Sequence, residues 1–503
     1  MSEAVRAWHS SLFGQEESAD CVLKFVVDGG GSEPPPKRLR MEDGERSQAV
    51  SMGNPLPGHL LILRPGSSFL KSQAERWAGE QTAGAKLELR VPLEDAGDYP
   101  YALSAVRFIY TGELDVGDVA GLVRVRRLTA FLGVEGCPKA ADAALVELAR
   151  SRLSGVAELY ACRQLLPDPD HDPAAAELRP RLRAACRERL VEETGSLAAG
   201  ATFSVLGTTG GSVKEVKLGE VLAWAFPDAP SVLSDPAARK QLLALSAAAL
   251  EALLSSEGFG TDVEDTVLLL LAYWLKANRA TSQEAKQRLC KCILLSCLSD
   301  TYTFAILPLL SWFPISPPEL RFLQQYRYAS PGPYKSRLDE AARGVGYDIT
   351  SPWYSDSPRP RGRADAGVAY EWSIPEQKLE AELAKLTAED AAARHLQVNC
   401  IFANGASRLC AAGLQWYPGL SLHPGKDAAG CFLYNALPPA LGINAADART
   451  LVVAVCPGRC SCDGSLGPYL HLHDGRISGS LTWRDCEEEP GSVAGMAAAT
   501  GEQ

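Results

Sequence analysis

The sequence predicts an α+β multidomain chain: an N-terminal α/β domain, an all-α middle block and a C-terminal antiparallel β-sandwich. Three observations predict it. A length of 503 residues is too great for one core and, at roughly 150 residues per domain, implies about three. Strand-like and helix-like stretches mix over residues 1–152, whereas helical leucine spacing dominates 153–330. Short apolar segments separated by Gly, Pro and Asn then fill 371–486. Between these blocks, residues 331–370 mix Pro, Ser and Arg without periodicity and read as a linker. Residues 487–503 read as a disordered tail.

In the first block, "DCVLKFVVD" (20–28) is rich in Val and Phe and reads as a strand. The Gly-, Pro- and charge-rich segment that follows has almost nothing to bury, so residues 29–54 are expected to be a disordered insertion. "KLELRVPL" (86–93) reads as a second strand, with Leu87, Leu89 and Val91 on one face. Three helices follow. One runs over 99–114 and ends at Gly112, and one carries Leu122, Val125, Leu128 and Leu132 at helical spacing. The third covers 138–150, with Pro138 suited to a first turn.

The middle block reads as all-helical from 155 to 330, interrupted by loops at 165–173 and 207–212. "TDVE" (261–264) predicts a capping box in which Thr261 and Glu264 satisfy each other's orphan amides. The helix it opens carries an apolar stripe of Val263, Val267, Leu270, Leu271, Trp274 and Leu275. A second box, "TSQE" (281–284), opens the next helix, on which Cys290, Cys292 and Cys297 are placed as core residues. In the last block the strand segments are "HLQVNCIFA", "RLCAAGLQWY", "GCFLYNAL", "TLVVAVC", "YLHLH" and "GSLTW". No internal repeat spans the chain.

A net charge of −11 argues against a broad nucleic-acid surface, because neutralising phosphates requires a basic face. No apolar run reaches the roughly 18 residues that span a bilayer. The start carries no apolar signal stretch, so the fourteen cysteines are expected to be reduced thiols. No G-x-S-x-G elbow or phosphate-binding loop occurs, and no catalytic residue, cofactor or enzymatic activity is expected. Cys456, Cys460, Cys462, His471, His473 and Cys486 carry zinc-type ligand atoms. Their C-x3-C-x-C spacing is not that of a paired knuckle, so unligated thiols are the simpler expectation and a metal site the alternative. Lys37, Arg38 and Arg40 follow three prolines inside the insertion. Short basic clusters on extended chain serve as nuclear-import ligands, so the nucleus, with the cytoplasm as a second compartment, is the expected localisation.

Several motifs carry a resemblance. "ADCVLKF" (19–25), His59 before "LLILRPGSSFL", and "VRFIYTGEL" (106–114) resemble a BTB/POZ domain. "LSAAALEALLSSEGFGTDVEDTVLLLLAYWL" (245–275) resembles the BACK domain that often follows BTB. The C-terminal block is similar to the MATH/TRAF-like β-sandwich that ends the plant light-response BTB proteins, which also interrupt the first BTB hairpin with a polar insert. Many cullin-binding members carry a hydrophobic-x-Glu motif after the "SxxF" stretch; here Glu75 is shifted and Ser72 stands near the apolar position.

What the resemblance implies is a substrate-specific adaptor of a cullin-3 RING ubiquitin ligase. It implies a homodimer through the BTB domain, with Trp8, Phe13 and Asp20 as dimer candidates. It implies a cullin-3 face with Phe69, Leu70 and Tyr110 as candidates, and a C-terminal domain that grips the ubiquitination substrate. No direct nucleic-acid contact and no membrane are implied. The alternatives are a BTB-dimerised scaffold or transcriptional co-regulator without cullin, and a zinc-binding protein through the C-terminal Cys/His cluster.

Overall fold

The structure, a computed structural model, describes residues 3–27, 50–77, 86–168, 172–206, 213–361, 368–384, 396–399, 401–402, 407–422, 429–443, 470–473 and 476–483. The chain forms two compact units, Met1–Val221 and Leu222–Gln503.

The first unit opens with helix α1 (Glu3–Leu12), strands β1 (Cys21–Val27) and β2 (Val50–Gly58), and helices α2 (Leu60–Gly66) and α3 (Ser68–Trp77). Strand β3 (Leu87–Leu93) and helices α4 (Tyr99–Thr111), α5 (Val119–Phe131), α6 (Cys137–Ser151), α7 (Leu153–Ala161) and α8 (Pro173–Glu193) follow. Strands β1, β2 and β3 form one sheet in the order β2-β1-β3, with β1 parallel to β3 and antiparallel to β2. Period-two alternation decides its inner face. Cys21, Leu23 and Phe25 of β1 and Leu87, Leu89 and Val91 of β3 are all buried. Ala102, Ala105 and Val106 of α4 pack against them. On α5 the predicted stripe of Leu122, Val125, Leu128 and Leu132 is buried, and Gly112 ends α4 in the left-handed conformation. Arg126 on α5 is almost fully buried. Its charge is met by Asp142 on α6 and by Asp172 at 3.0 Å.

Two expectations for this region need correction. The insertion was expected to run to residue 54, but β2 begins at Val50, and residues 28–49 lie outside the described residues. Pro55 and Pro57 fall within β2, which is an edge strand, where a missing N–H costs no ladder bond. Gly53 sits in the register shift of this strand at φ 64°, and a Cβ there would strike the Tyr99 ring. The second correction concerns the all-helical reading of 155–330. Strands β4 (Thr202–Leu206) and β5 (Val213–Lys217) pair antiparallel on either side of the expected 207–212 loop, whose residues lie outside the described set. Helix α9 (Leu218–Ala225) then crosses from the first unit into the second.

The second unit continues with helices α10 (Ala229–Ser234), α11 (Pro236–Leu243), α12 (Ala247–Leu254), α13 (Glu264–Ala277) and α14 (Gln283–Lys291). A π-helical turn (Thr301–Ile306) precedes α15 (Pro317–Arg327) and α16 (Pro333–Val345). After β6 (Val368–Pro375) come helix α17 (Glu376–Leu383) and strands β7 (Leu396–Asn399), β8 (Ile401–Phe402), β9 (Leu409–Ala411), β10 (Leu414–Leu422) and β11 (Ala429–Ala436). The last strands are β12 (Leu470–His473) and β13 (Arg476–Trp483). These strands form two antiparallel sheets, one ordered β11-β10-β7 with β9 beside β10, the other β12-β13-β6-β8. Antiparallel strands were expected here; α17, among them, was not.

Helix α13 is not the one-sided helix its stripe predicted. Residues 264–272 and Trp274 are all buried, so it is a central helix enclosed by its neighbours. Trp274 Nε1 donates to the Leu245 carbonyl at 3.0 Å. The three cysteines placed on one helix are also separated. Cys290 lies on α14, Cys292 is its C-cap, and Cys297 ends a 3-10 turn (Leu295–Cys297).

The linker reading of 331–370 gives way too. Helix α16 occupies 333–345, and Trp353 and Tyr354 beyond it are buried. The absence of periodicity was real, but side chains rather than regular backbone fix this segment. Trp353 Nε1 donates to the Cys290 carbonyl at 2.8 Å, and Ser296 Oγ donates to the Trp353 carbonyl at 3.0 Å.

Candidate interaction sites

In the first unit the predicted positions divide by exposure. Leu70 and Tyr110 are core residues with no surface to offer a partner. Period explains both: Leu70 faces inward from α3, and Tyr110 from the last turn of α4. The Tyr110 hydroxyl accepts from the His59 amide at 2.9 Å, and His59 Nε2 lies 2.9 Å from Ser18 Oγ. Burial holds the His59 pKa below its ordinary value, favouring the neutral ring. Phe69 is half-buried and tilts against Phe131 at 5.3 Å between centroids, and Phe131 is 57% exposed. Phe131 was not singled out from the sequence. Its signal is an aromatic off the phase of the buried α5 stripe.

The dimer candidates also separate. Trp8 is 51% exposed on α1, with Val5 one turn before it at 41%. Phe13 packs edge-on against Tyr110 at 5.5 Å and beneath the Arg107 guanidinium, so it is spent inside its own chain. Asp20 accepts from the Leu60 amide at 2.7 Å and holds the entry to α2. Lys37, Arg38 and Arg40 lie outside the described residues, as do Cys456, Cys460, Cys462 and Cys486. His471 and His473 fall in β12, of which the structure gives the backbone.

The second unit builds its tightest polar site from the acidic turn before α13. Neither predicted capping box forms there as read. Thr261 Oγ1 donates to the Val263 carbonyl at 2.8 Å, and the N-cap position is Val263, without a side-chain cap. The second box is displaced by one residue, because Ser282 rather than Thr281 caps α14 through the Ala285 amide. The acidic residues instead reach distant chain. Asp262 accepts from the Ala412 amide at 2.6 Å, Thr266 from the Gly413 amide at 2.9 Å and Asp265 from the Ser299 amide at 2.9 Å. Glu264 accepts from the Leu294 amide at 2.9 Å and pairs with Arg359 at 3.0 Å. Arg359 completes its donors on the Leu254 and Cys292 carbonyls, at 2.6 and 2.8 Å.

Four side chains within five residues therefore gather four segments of chain. Burial, reinforced by the neighbouring Asp262 and Glu264 charges, pushes the Asp265 carboxyl up to about 7. Burial also raises Glu264, with Arg359 opposing it. The gathered hairpin tip is strained. Ala412 and Gly413, between β9 and β10, have φ of 48° and 71°, as a type I′ turn requires. Tyr302 donates its hydroxyl to the Gly413 carbonyl.

Eight described cysteines are free thiols. Burial pushes Cys290 up to about 12 and Cys410 up to about 11, which keeps both protonated and unreactive at neutral pH. Among the described residues no group of three or more His, Cys, Asp or Glu side chains is placed to hold a metal. No helix among them is long and apolar enough to cross a membrane.

Residues 232–307 match the family model of the BACK domain, BTB And C-terminal Kelch. The match spans α10 to α14 and the π-helical turn, and so contains the acidic turn with all four of its gathering side chains. No curated protein matches the chain.

Proposed function

We propose that this chain is a non-enzymatic, substrate-specific adaptor that brings a target protein to a cullin-3 RING ubiquitin ligase. The BACK match at 232–307 carries the reading, since BACK domains are typical of cullin-3 substrate adaptors. On this reading the first unit is the BTB/POZ module. Its α1 face, with Val5 and Trp8, meets a second copy, and the exposed Phe131 with the half-buried Phe69 beside it docks the scaffold. Target binding falls to the C-terminal strands, and two copies raise a weak single-site affinity by avidity. Ubiquitin transfer is left to other proteins. Lys37, Arg38 and Arg40 act as a nuclear address.

Co-purification tests the reading. The chain recovers cullin-3 from cell extract, and Phe69→Ala with Phe131→Ala abolishes recovery while leaving the dimer intact. No cullin-3 under conditions where a known adaptor recovers it would sink the proposal. A second reading, a dimeric scaffold or co-regulator without cullin, is favoured by two observations: Leu70 and Tyr110 are buried, and Glu75 is shifted from its motif position. Dimer without cullin-3 is its signature.

A further inference from the structure

Three aromatic rings converge on one face of the second unit without being covered. Phe304 projects from the π-helical turn at 49% exposure, Tyr328 follows the end of α15 at 56%, and Tyr334 stands in the first turn of α16 at 51%. Scattered exposed apolar side chains are ordinary; three around one depression are not. They line a groove of about 480 Å³ together with Arg321, Gln324 and Gln325. Phe304 and Tyr328 are stacked, 15° from parallel with centroids at 6.2 Å, and the Arg327 guanidinium stands over the Tyr328 ring at 5.4 Å, so the free flat faces are those of Phe304 and Tyr334 turned to the groove. The turn that presents Phe304 is π-helical, a rare geometry that concentrates at functional sites.

Cations stand against the rings, and the one acid bonded to them is paired. Asp300 is neutralised by Arg327 at 3.2 Å and accepts from the Tyr328 hydroxyl. Arg337 sits over the Tyr334 ring at 6.0 Å. Arg321 lines the groove and has no carboxylate within ion-pair distance among the described residues. Gln324 already donates to the Thr303 carbonyl, whereas the exposed Gln325 amide has no such bond among the described residues.

We propose that this groove binds an acidic, proline-rich peptide in extended form. Flat aromatic faces take proline rings, and a polyproline II chain arrives with its carbonyls unbonded and little entropy to lose. Gln325 supplies a donor to such a carbonyl, and Arg321 takes a flanking carboxylate. The chain's own proline run, "PPPKRLR" (34–40), is cationic and has the wrong sign for this groove. The inference does not depend on the adaptor reading, and its test contains no cullin.

The test is fluorescence anisotropy on the full chain. One probe is an oligoproline peptide with glutamates at both ends, the other the same peptide with lysines in their place. Saturable binding of the glutamate peptide is expected, about tenfold tighter than the lysine peptide. Phe304→Ala and Tyr334→Ala should each weaken it about tenfold, and both sites are exposed enough to leave the far-ultraviolet circular dichroism unchanged. Arg321→Glu should reverse the preference between the two peptides. No saturable binding, equal affinity for both peptides, or affinity untouched by the aromatic variants would overturn the proposal. So would tighter binding of an oligothymidylate that displaces the peptide, since that would make the groove a single-strand platform.

Discussion

Arg359 shows how much one side chain can hold. Its side chain is 7% exposed, that of its partner Glu264 1%, and two further guanidinium nitrogens donate to carbonyls. A buried pair contributes little net stability, but removing one member leaves an uncompensated charge. Arg359→Ala should therefore destabilise the protein by about 3–5 kcal/mol in urea unfolding. Arg359→Met combined with Glu264→Leu should cost less than the two single changes added together. Equal, additive losses would show that the pair is not coupled. Asp265 makes a separate prediction in pH. Its folded-state pKa of about 7 lies above the ordinary carboxylate value. Between those two values the folded protein holds a proton that the unfolded chain has released. The stability tied to that proton is complete below the ordinary carboxylate range and is lost as pH rises through about 7. Glu264 works in the same sense, while His59, held below its ordinary value, works in the opposite one. The difference between wild type and Asp265→Asn isolates the group. The wild-type urea midpoint should fall more steeply than the variant's between about pH 5 and about pH 8; parallel profiles would remove Asp265 from the account.

Elements differ in how far local sequence determines them. Strands β1 and β3 and helices α4 to α6 were legible because alternation and helical spacing act within a few residues, and their buried faces are those the pattern marked. The acidic turn was not, because "TDVE" satisfies the local grammar of a capping box while its acids bind chain around residues 294, 299, 359 and 412. Tertiary partners with better geometry took the carboxylates that the cap would have used. The segment around Trp353 was illegible for a different reason: it packs through single anchored side chains and has no period to read. The groove aromatics were missed because they come from three separate elements. Two substitutions test this scale. Trp274→Ala should cost about 3–5 kcal/mol, since the indole is enclosed and its N–H is bonded; a near-neutral result would place α13 at the surface. Gly413→Ala should destabilise although it adds only a methyl. Its φ of 71° disfavours a side chain, and a Cβ would stand 2.6 Å from the Asp265 Cβ and 2.7 Å from the Tyr302 ring. The readout is the unfolding midpoint, with Gly346→Ala as the comparison: it has φ 85° and open space, so it loses only the backbone share.

At the scale of the whole molecule, the partition into three blocks and a linker meets a unit that runs from Leu222 to the end of the chain. The BACK-matching stretch ends at residue 307, yet Glu264 within it is neutralised from position 359, and Asp262 and Thr266 are bonded from positions 412 and 413. Trp353 fills the space beside Cys290, and Tyr302 is closed in by Gly413. A fragment ending at residue 330 would retain Glu264 and Asp265 in a buried setting without Arg359 to pair the first. It would also leave α13 open to water along the side that the β9–β10 turn covers. Both defects act on the most buried helix of the unit, so their costs fall on the cooperative core and not on a frayed end. The expected outcome is that residues 222–330 expressed alone give no cooperative urea transition, while residues 222–503 unfold cooperatively. A cooperative transition of 222–330 at the midpoint of the longer fragment would show that the later segments merely decorate a finished domain. The prediction also bears on the adaptor reading. If the C-terminal strands carry the target, they are coupled to the BACK stretch through buried hydrogen bonds. Substitutions at Asp262 or Thr266 should then lower target capture together with thermal stability, while leaving recovery of cullin-3 by the first unit intact.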